Sequence, residues 1–413
     1  MTTIPSAPLA RYAARLHADI GDRHHVASPL GAWLLLALTA PAATGPVRKE
    51  LDDALGMDAD SAAATAAALL EQPHPLVPSA TAVWHRPGQE TGQLDDWRRG
   101  LPRSTRTGPL PDQAGLDAWA REHTLGLVER FPLTLTPQVV LALASALATR
   151  ISWAEPFDLV PGAALGAGSA WAGLGRVLRT PAAGHRAWIA TTGAAGDVAV
   201  HRAGARPLES GGAGLVVVSV AADPGVPPVD VLTAAYEVGA TAVDGAPAGR
   251  RSLFDLPLGD GPLWSLREEP VRTNAPDGRE ERHSAVLPCW SARDEHDLSA
   301  PALGFPAVAR TVAGLLGREL GVEARQAAAA RYGRYGFEAA AVTGAFALTS
   351  LPPMGVARTA ELRFGHPYAV VALATDRRGD RIGPWHGVPV FSAWVAEPEE
   401  PSAADLADPP ETW

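Results

Sequence analysis

Apolar residues recur at helical spacing through Ala7–Ile20, interrupted on one side by Arg11, Arg15 and Asp19, the pattern of a helix with one buried face. Ser28-Pro29 follows, a serine suited to cap a helix and a proline suited to its first position. They open the strongest apolar run of the chain, Leu30–Ala43. That run is shorter than the about 20 residues needed to span a bilayer, and Pro41 breaks it, so it reads as a buried core helix. Gly45-Pro46 stops it, and Val47–Leu55 resumes with a charged face. Leu116–Val128 is a further amphipathic helix, with Leu116, Trp119, His123 and Leu127 on one face. The first 130 residues therefore read mainly as helices.

Beyond them the period changes. Gln138–Trp153 is apolar and rich in small residues, and fits either a helix or a buried strand. Leu215–Ala221, with its β-branched run after a glycine cluster, reads as a strand. So do His283–Trp290, Tyr368–Ala374 and Val388–Val395, while helix returns at Val229–Val238 and Ala307–Leu320. Helices first and strands later, without βαβ alternation, predict an α+β fold rather than a doubly wound sheet. No repeat of 20–50 residues is visible, which argues against a solenoid. The length of 413 residues alone suggests two or three domains.

Composition narrows the function classes. A net charge of −10 without a basic block argues against nucleic acid and anionic membranes as partners. The single cysteine, Cys289, excludes an internal disulfide framework and a multi-cysteine metal site. Set between Pro288 and Trp290 in an expected strand, it reads as a buried structural thiol rather than a nucleophile. The first twenty residues lack the apolar core of a secretory signal, so the protein is expected in the cytoplasm. Gly and Pro together number 79 of 413, about 19% against roughly 12% in average proteins, which points to many turns. The stretch after Pro398 is acidic, proline-rich and free of basic residues, and reads as a solvated tail over 399–413.

Catalytic signatures are thin. Gly166-Ala167-Gly168 lacks the third glycine and the preceding strand of a dinucleotide loop, and reads as a connector. No G-x-S-x-G elbow occurs. His24-His25 has no partner at metal-ligand spacing, so no metal and no cofactor are expected. The informative segment is Gln326–Phe391. A strand-like run, Gln326–Tyr332, leads into Arg334-Tyr335-Gly336-Phe337-Glu338-Ala339-Ala340-Ala341. About twenty residues of turn chemistry follow, including Leu351-Pro352-Pro353, before strands begin again at Glu361. A loop of that length inside a compact domain is usually functional.

At this point the chain resembles the serpin family. The matching blocks are G-F-E-A-A-A at Gly336–Ala341, E-L-R-F at Glu361–Phe364 with H-P-Y at His366–Tyr368, and V-F-S-A-W-V-A-E-P at Val390–Pro398. Upstream, A-S-P-L-G at Ala27–Gly31 resembles the family's N-F-S-P-L-S. Leu116–Val128 resembles its N-x-W-V-x-x-x-T-x-G-x-I helix, Ser145–Asp158 its N-A-I-Y-F-K-G-x-W-x-x-P-F, and L-P-C-W at Leu287–Trp290 its L-P-K-F. The blocks fall in family order across residues 5–398. The likeness is to a bacterial member with a divergent hinge.

The resemblance implies one α+β domain over 5–398 with three β-sheets, about eight or nine helices and an exposed reactive loop. It implies a monomer that traps a serine or cysteine protease. Once cut, the loop enters the central sheet as a new strand; serpin loop insertion is among the established examples of such switching. Ala339, Ala340 and Ala341 are small enough to lead that insertion. Arg334 stands where the family usually has glutamate, and Phe337 where it has Thr or Ser, and overpacking at such a position costs about 1–3 kcal/mol. Insertion must outrun deacylation, so the hinge threatens the rate of trapping more than its end state. The residues matching the polar cluster under the central sheet are Ser28, Ser145 and Gln326, and Trp153 keeps the family's tryptophan at the sheet's top. Counting from the hinge places the scissile bond at Ser350-Leu351; counting back from Phe364 places it at Val356-Ala357. Leu348, Leu351 and Met354 suit chymotrypsin- or subtilisin-like pockets, and Arg358 a trypsin-like one. Arg358, however, lies near the following strand, which would tether it, so a bond within Leu348–Val356 ranks first. The alternative is a serpin scaffold that has lost inhibition and acts as a binding protein or a recruited biosynthetic enzyme.

Overall fold

The computed structural model describes residues 6–88, 90–208, 211–245, 249–319, 323–337, 353–379 and 381–407. The helices are α1 (Ser6–Ile20), α2 (Pro29–Thr39), α3 (Gly45–Leu55), α4 (Ala59–Glu71) and α5 (Gly92–Arg99). They continue with α6 (Gln113–His123), α7 (Pro228–Ala242), α8 (Phe305–Leu316) and α9 (Ala403–Leu406). The strands begin with β1 (His25–Ala27), β2 (Ser79–His85), β3 (Arg106–Pro109), β4 (Leu141–Leu147) and β5 (Ile151–Ser152). Next come β6 (Asp158–Pro161), β7 (Arg176–Arg179), β8 (His185–Thr192), β9 (Gly196–Gly204) and β10 (Ala213–Ala221). Then follow β11 (Gly259–Asp260), β12 (Trp264–Arg272), β13 (Arg279–Leu287), β14 (Trp290–Asp297) and β15 (Arg325–Tyr332). The last are β16 (Gly336–Phe337), β17 (Met354–Arg363), β18 (Tyr368–Arg378), β19 (Arg381–Ile382) and β20 (Pro389–Val395).

The fold is one α+β domain, so the length-based expectation of two or three domains is overturned. Its organising core is a sheet in the order β1-β20-β18-β10-β9-β8, with β19 on β18. β10 shows how the sequence builds it. Leu215, Val217 and Ala221 face the main core, while Val216, Val218 and Val220 pack with Val231, Leu232 and Ala235 of α7. Both faces are buried, and the strand therefore reads as an unbroken apolar run. On the main-core side lies α2, buried along nearly its whole length and capped by Ser28, whose Oγ accepts the Gly31 N–H at 3.3 Å. A second sheet runs β11-β12-β17-β13-β7-β6.

The third sheet is divided. β14 pairs with β15, β3-β2-β4 forms a separate group, and β16 pairs with β5 above them. Gln138–Trp153, ambiguous between helix and strand, forms β4 and β5. Helix α6 is shorter than expected and ends at His123. Thr124 Oγ1 accepts the Val128 N–H at 3.0 Å while Leu125 and Gly126 take positive φ, which turns the chain away. The helical first third also carries β1, β2 and β3, whose short lengths hid them among better helical patterns. Helix α8 stops at Leu316 because Gly317 caps it at φ 63.

The segment expected as a solvated tail departs most. Glu399 N donates to Cys289 O at 2.7 Å, Pro401 is buried, and Asp405 is 4% exposed in α9. Its acidity is consumed by partners in the fold, whereas residues 408–413 lie outside the described set. Among the described residues no helix is long and apolar enough to cross a membrane.

Candidate functional site: a seam in the central sheet

Strands β4 and β15 make no pairing with each other, so the third sheet holds an open seam. Ala144 and Ala146 line one wall, and Ala327 and Ala329 the other. The turn after α6, through Leu127, Val128 and Phe131, crosses one side. The start of α2 closes the other. Ser145 Oγ donates to Gly31 O at 2.7 Å from the β4 side. From the β15 side Gln326 grips Ser28 twice: Oε1 accepts its N–H at 2.9 Å and Nε2 donates to its carbonyl at 2.8 Å. Ser28 Oγ donates to Val390 O at 2.9 Å. Ser28, Ser145 and Gln326 thus meet around one helix turn, although Ser145 and Gln326 do not bond each other. The first turn of α2 acts as a strut between the two unpaired halves.

At the top the halves are latched. Trp153 is fully buried; its N–H donates to Tyr335 O and its Nε1 to Gly333 O, each at 3.0 Å. Phe157 N donates to Arg334 O at 3.0 Å, and Arg334 Nε returns the bond to Phe157 O at 3.1 Å. The rings of Trp153, Phe157 and Tyr332 pack together beneath. His185 meets Phe157 edge-to-face with ring centroids 4.3 Å apart, donates from Nε2 to Glu155 O at 2.7 Å, and meets His201 at 3.0 Å. Burial pushes His185 down to about 4 and His201 well below its ordinary value. Both are held neutral, each lending the other one ring nitrogen.

After Tyr332 the chain reverses, with Gly333 N bonded to Gly336 O at 3.2 Å. Gly336 and Phe337 then run antiparallel to Ser152 and Ile151. The Phe337 side chain, Glu338, Ala339, Ala340, Ala341, Leu348, Ser350 and Leu351 lie outside the described residues. On the far side Met354 is 63% exposed as the first residue of β17. Val356 and Arg358 are placed differently from a loop's scissile region: β17 is paired with β12 on one edge and β13 on the other. Arg358 bonds Glu268 and the carbonyls of Leu253 and Leu256, with its guanidinium over the Phe254 ring. A protease needs a strand with free edges, and these two positions have none.

Sequence reasoning missed a clasp on this latch. Asp405 Oδ1 accepts the Arg334 N–H at 2.8 Å, and Oδ2 pairs with Arg331. Arg334 Nη1 donates to the carbonyls of Asp405 and Ala407, each at 3.2 Å, and Tyr335 OH to Ala407 O. The readable signal was Ser402-x-x-Asp405, a capping box with both bonds formed. Cys289 lies beneath, 4% exposed, its thiol pushed up by burial and by Asp405.

No family model matches the chain, and no curated protein matches it. Solved structures do. The native state of tengpin, a thermophilic serpin, aligns with a TM-score of 0.61 at 12% identity, covering 96% of this chain and 95% of that one. Human thyroxine-binding globulin complexed with thyroxine aligns at 0.59 and 14% identity, covering 96% and 98%. A serpin from the trematode Schistosoma haematobium aligns at 0.55 and 13% identity, covering 96% and 100%. At such identities the likeness speaks to architecture: the chain has the serpin fold.

Proposed function

We propose that this protein is a protease inhibitor that works by loop cleavage and insertion, as a monomer in the cytoplasm. The observation that carries the reading is β16. Its two residues run antiparallel to β5 at the head of an unfilled seam, the direction that a strand entering between β4 and β15 must take. Both seam edges have unpaired backbone groups, which a third strand would satisfy. Residues 338–353 connect β16 to the anchored β17, and we place the scissile bond there or at Met354, upstream of Val356 and Arg358. The target is a serine or cysteine protease accepting an apolar residue such as Leu348, Leu351 or Met354.

The test is incubation with subtilisin-, chymotrypsin- and trypsin-like proteases. A denaturant-resistant covalent complex is expected with at least one, and mass spectrometry should place the cut before Gly355. Quantitative loop cleavage with full retention of protease activity would sink the inhibitory reading. A second reading, binding of a small apolar molecule, draws on a cleft between α1 and α7 lined by Ala10, Arg11, Ala14, Thr233, Tyr236 and Leu373. The neighbour that binds thyroxine supplies the probe. Quenching of tryptophan fluorescence by thyroxine, blocked by Ala10→Trp, would favour it.

A further inference from the structure

Strands β8 and β9 face one another with Arg186 directly opposite Arg202. Like charges at opposed positions of an antiparallel pair destabilise it, so this arrangement calls for compensation. The protein supplies little. Arg202 makes no hydrogen bond or ion pair among the described residues, and burial together with the charge of Arg186 lowers its pKa. Among the described residues Arg186 donates only to Gly245 O, at 3.0 Å, where the chain leaves α7 with a positive φ. Above the two arginines lies a pocket of about 300 Å³, which His185, Trp188, Arg250 and His283 complete. Among the described residues no carboxylate lines it. Arg250 reaches Glu281 at 3.1 Å, but that carboxylate is also occupied by Ser252 Oγ and the Leu253 N–H. His283 Nε2 and the indole N–H of Trp188, a residue only 3% exposed, both lack partners.

We propose that this pocket is a binding site for a phosphate group, with Arg186 and Arg202 as a two-armed clamp and Arg250 closing the third side. Guanidinium forks match the oxygens of phosphate, and bonds to ionised partners are about twice as strong as neutral ones. An anion between Arg186 and Arg202 converts their repulsion into a bridge. The volume exceeds that of the inorganic ion, which leaves room for the organic part of a small phosphomonoester against Trp188. The site lies on the sheet that carries β8 and β9, apart from the seam, and stands whether or not the protein inhibits a protease.

The experiment is thermal melting of the full chain in sodium phosphate against sodium chloride at matched ionic strength, with isothermal titration by phosphate and glycerol 3-phosphate. Phosphate should raise the midpoint and chloride should not. Tighter binding of the ester identifies the organic phosphate as the ligand; equal binding identifies the free ion. Arg202→Met should weaken binding by about tenfold or more. In chloride alone the same change should raise the midpoint, because it removes an uncompensated charge; a merely structural arginine would lower it. Arg186→Met, at an exposed position, repeats the binding test if Arg202→Met fails to fold. Arg267→Met, on β12, should keep the phosphate shift. Equal midpoints in phosphate and chloride, or an undiminished shift in both clamp variants, would overturn the proposal.

Discussion

The clasp between α9 and the end of β15 can be broken from either side, and the two breaks should not add. Asp405→Ala removes a side chain 6% exposed that accepts the Arg334 N–H, the Arg331 guanidinium, and the N–H and Oγ–H of Ser402. The Ser402 bonds are local and water can replace them. The two bonds to β15 and its turn hold separate segments together, and bonds to charged groups contribute about 1.5–3 kcal/mol each. Arg331 is 43% exposed, so its share is discounted for solvent screening, leaving about 3 kcal/mol for the carboxylate. At roughly 2.1 cal/mol/K per residue for 413 residues, that lowers an apparent melting midpoint by about 3–4 °C. Gly333 supplies the second side. It does not have a positive φ, so alanine is compatible with its backbone, yet a Cβ there would lie 2.5 Å from Asp405 Oδ1. Gly333→Ala should therefore expel the carboxylate and cost nearly as much as deleting it. In the Asp405→Ala background the obstacle is gone, and Gly333→Ala should be neutral or stabilising by about 0.4–1 kcal/mol. Urea and thermal unfolding of the four proteins close the cycle. Additive losses would refute the reasoning, because the glycine would then matter for some reason other than Asp405.

Trp153→Phe keeps an aromatic ring but deletes the donor to Gly333 O and part of a fully buried indole; about 2–4 kcal/mol of stability should be lost in urea, with faster hydrogen exchange at Gly336 and Phe337. Gln326→Leu removes both bonds to Ser28 and strands its N–H, while its carbonyl still accepts from Gly31 and Ala32; a loss of about 1–3 kcal/mol is expected in the same assay. Acid should act more steeply. Seven of the 12 histidines have depressed values, with His25, His185 and His283 pushed down to about 4, chiefly by burial. A depressed value means that the unfolded chain takes up the proton first, near pH 6.5, so stability is whole above that pH. It falls by up to about 1.4 kcal/mol per group and pH unit between 6.5 and 4. A flat urea midpoint from pH 7 to 5 would contradict the burial of these rings.

How much was readable in the sequence depended on whether the signal was local. Ser28-Pro29, the all-apolar α2 and the β-branched β10 declare themselves because capping and burial on both faces act within a few residues. Strands β2 and β12 do not: SATAVWH and WSLREEPVR alternate poorly, and pairing partners far along the chain make them strands. The same distance hid the clasp. Five acidic side chains and four prolines after Glu397 look solvated until Arg331 and Arg334 are placed beside Asp405. Ser28, Ser145 and Gln326, and Trp153 apart from them at the latch, were legible only through family resemblance, since nothing in their spacing predicts where they meet. Val356 and Arg358 are poor scissile candidates for the opposite reason, and for Arg358 its nearness to the following strand was the warning. Their sequence suits a protease, but β12, without a counterpart in the family blocks used, covers their outer edge.

The magnitudes also settle what a clasp on the hinge can do. A strand entering the seam gains roughly two backbone hydrogen bonds per residue, one for each main-chain polar group. Over a length equal to the 7 residues of β4, that is on the order of 10 kcal/mol. The clasp's about 3 kcal/mol cannot reverse such a difference. In the proposed inhibitor it would act instead on the entry point, holding Gly333–Tyr335 against the end of β5 where the residues after Phe337 would enter the seam. Anchoring at both ends has a further consequence. With β17 held between β12 and β13, the proposed loop could enter uncut only as far as the chain between its two anchors allows, and deeper entry would require a cut upstream of Gly355. In the proposed inhibitor the clasp would fix where insertion starts, and the β17 end would make cleavage the condition for finishing it.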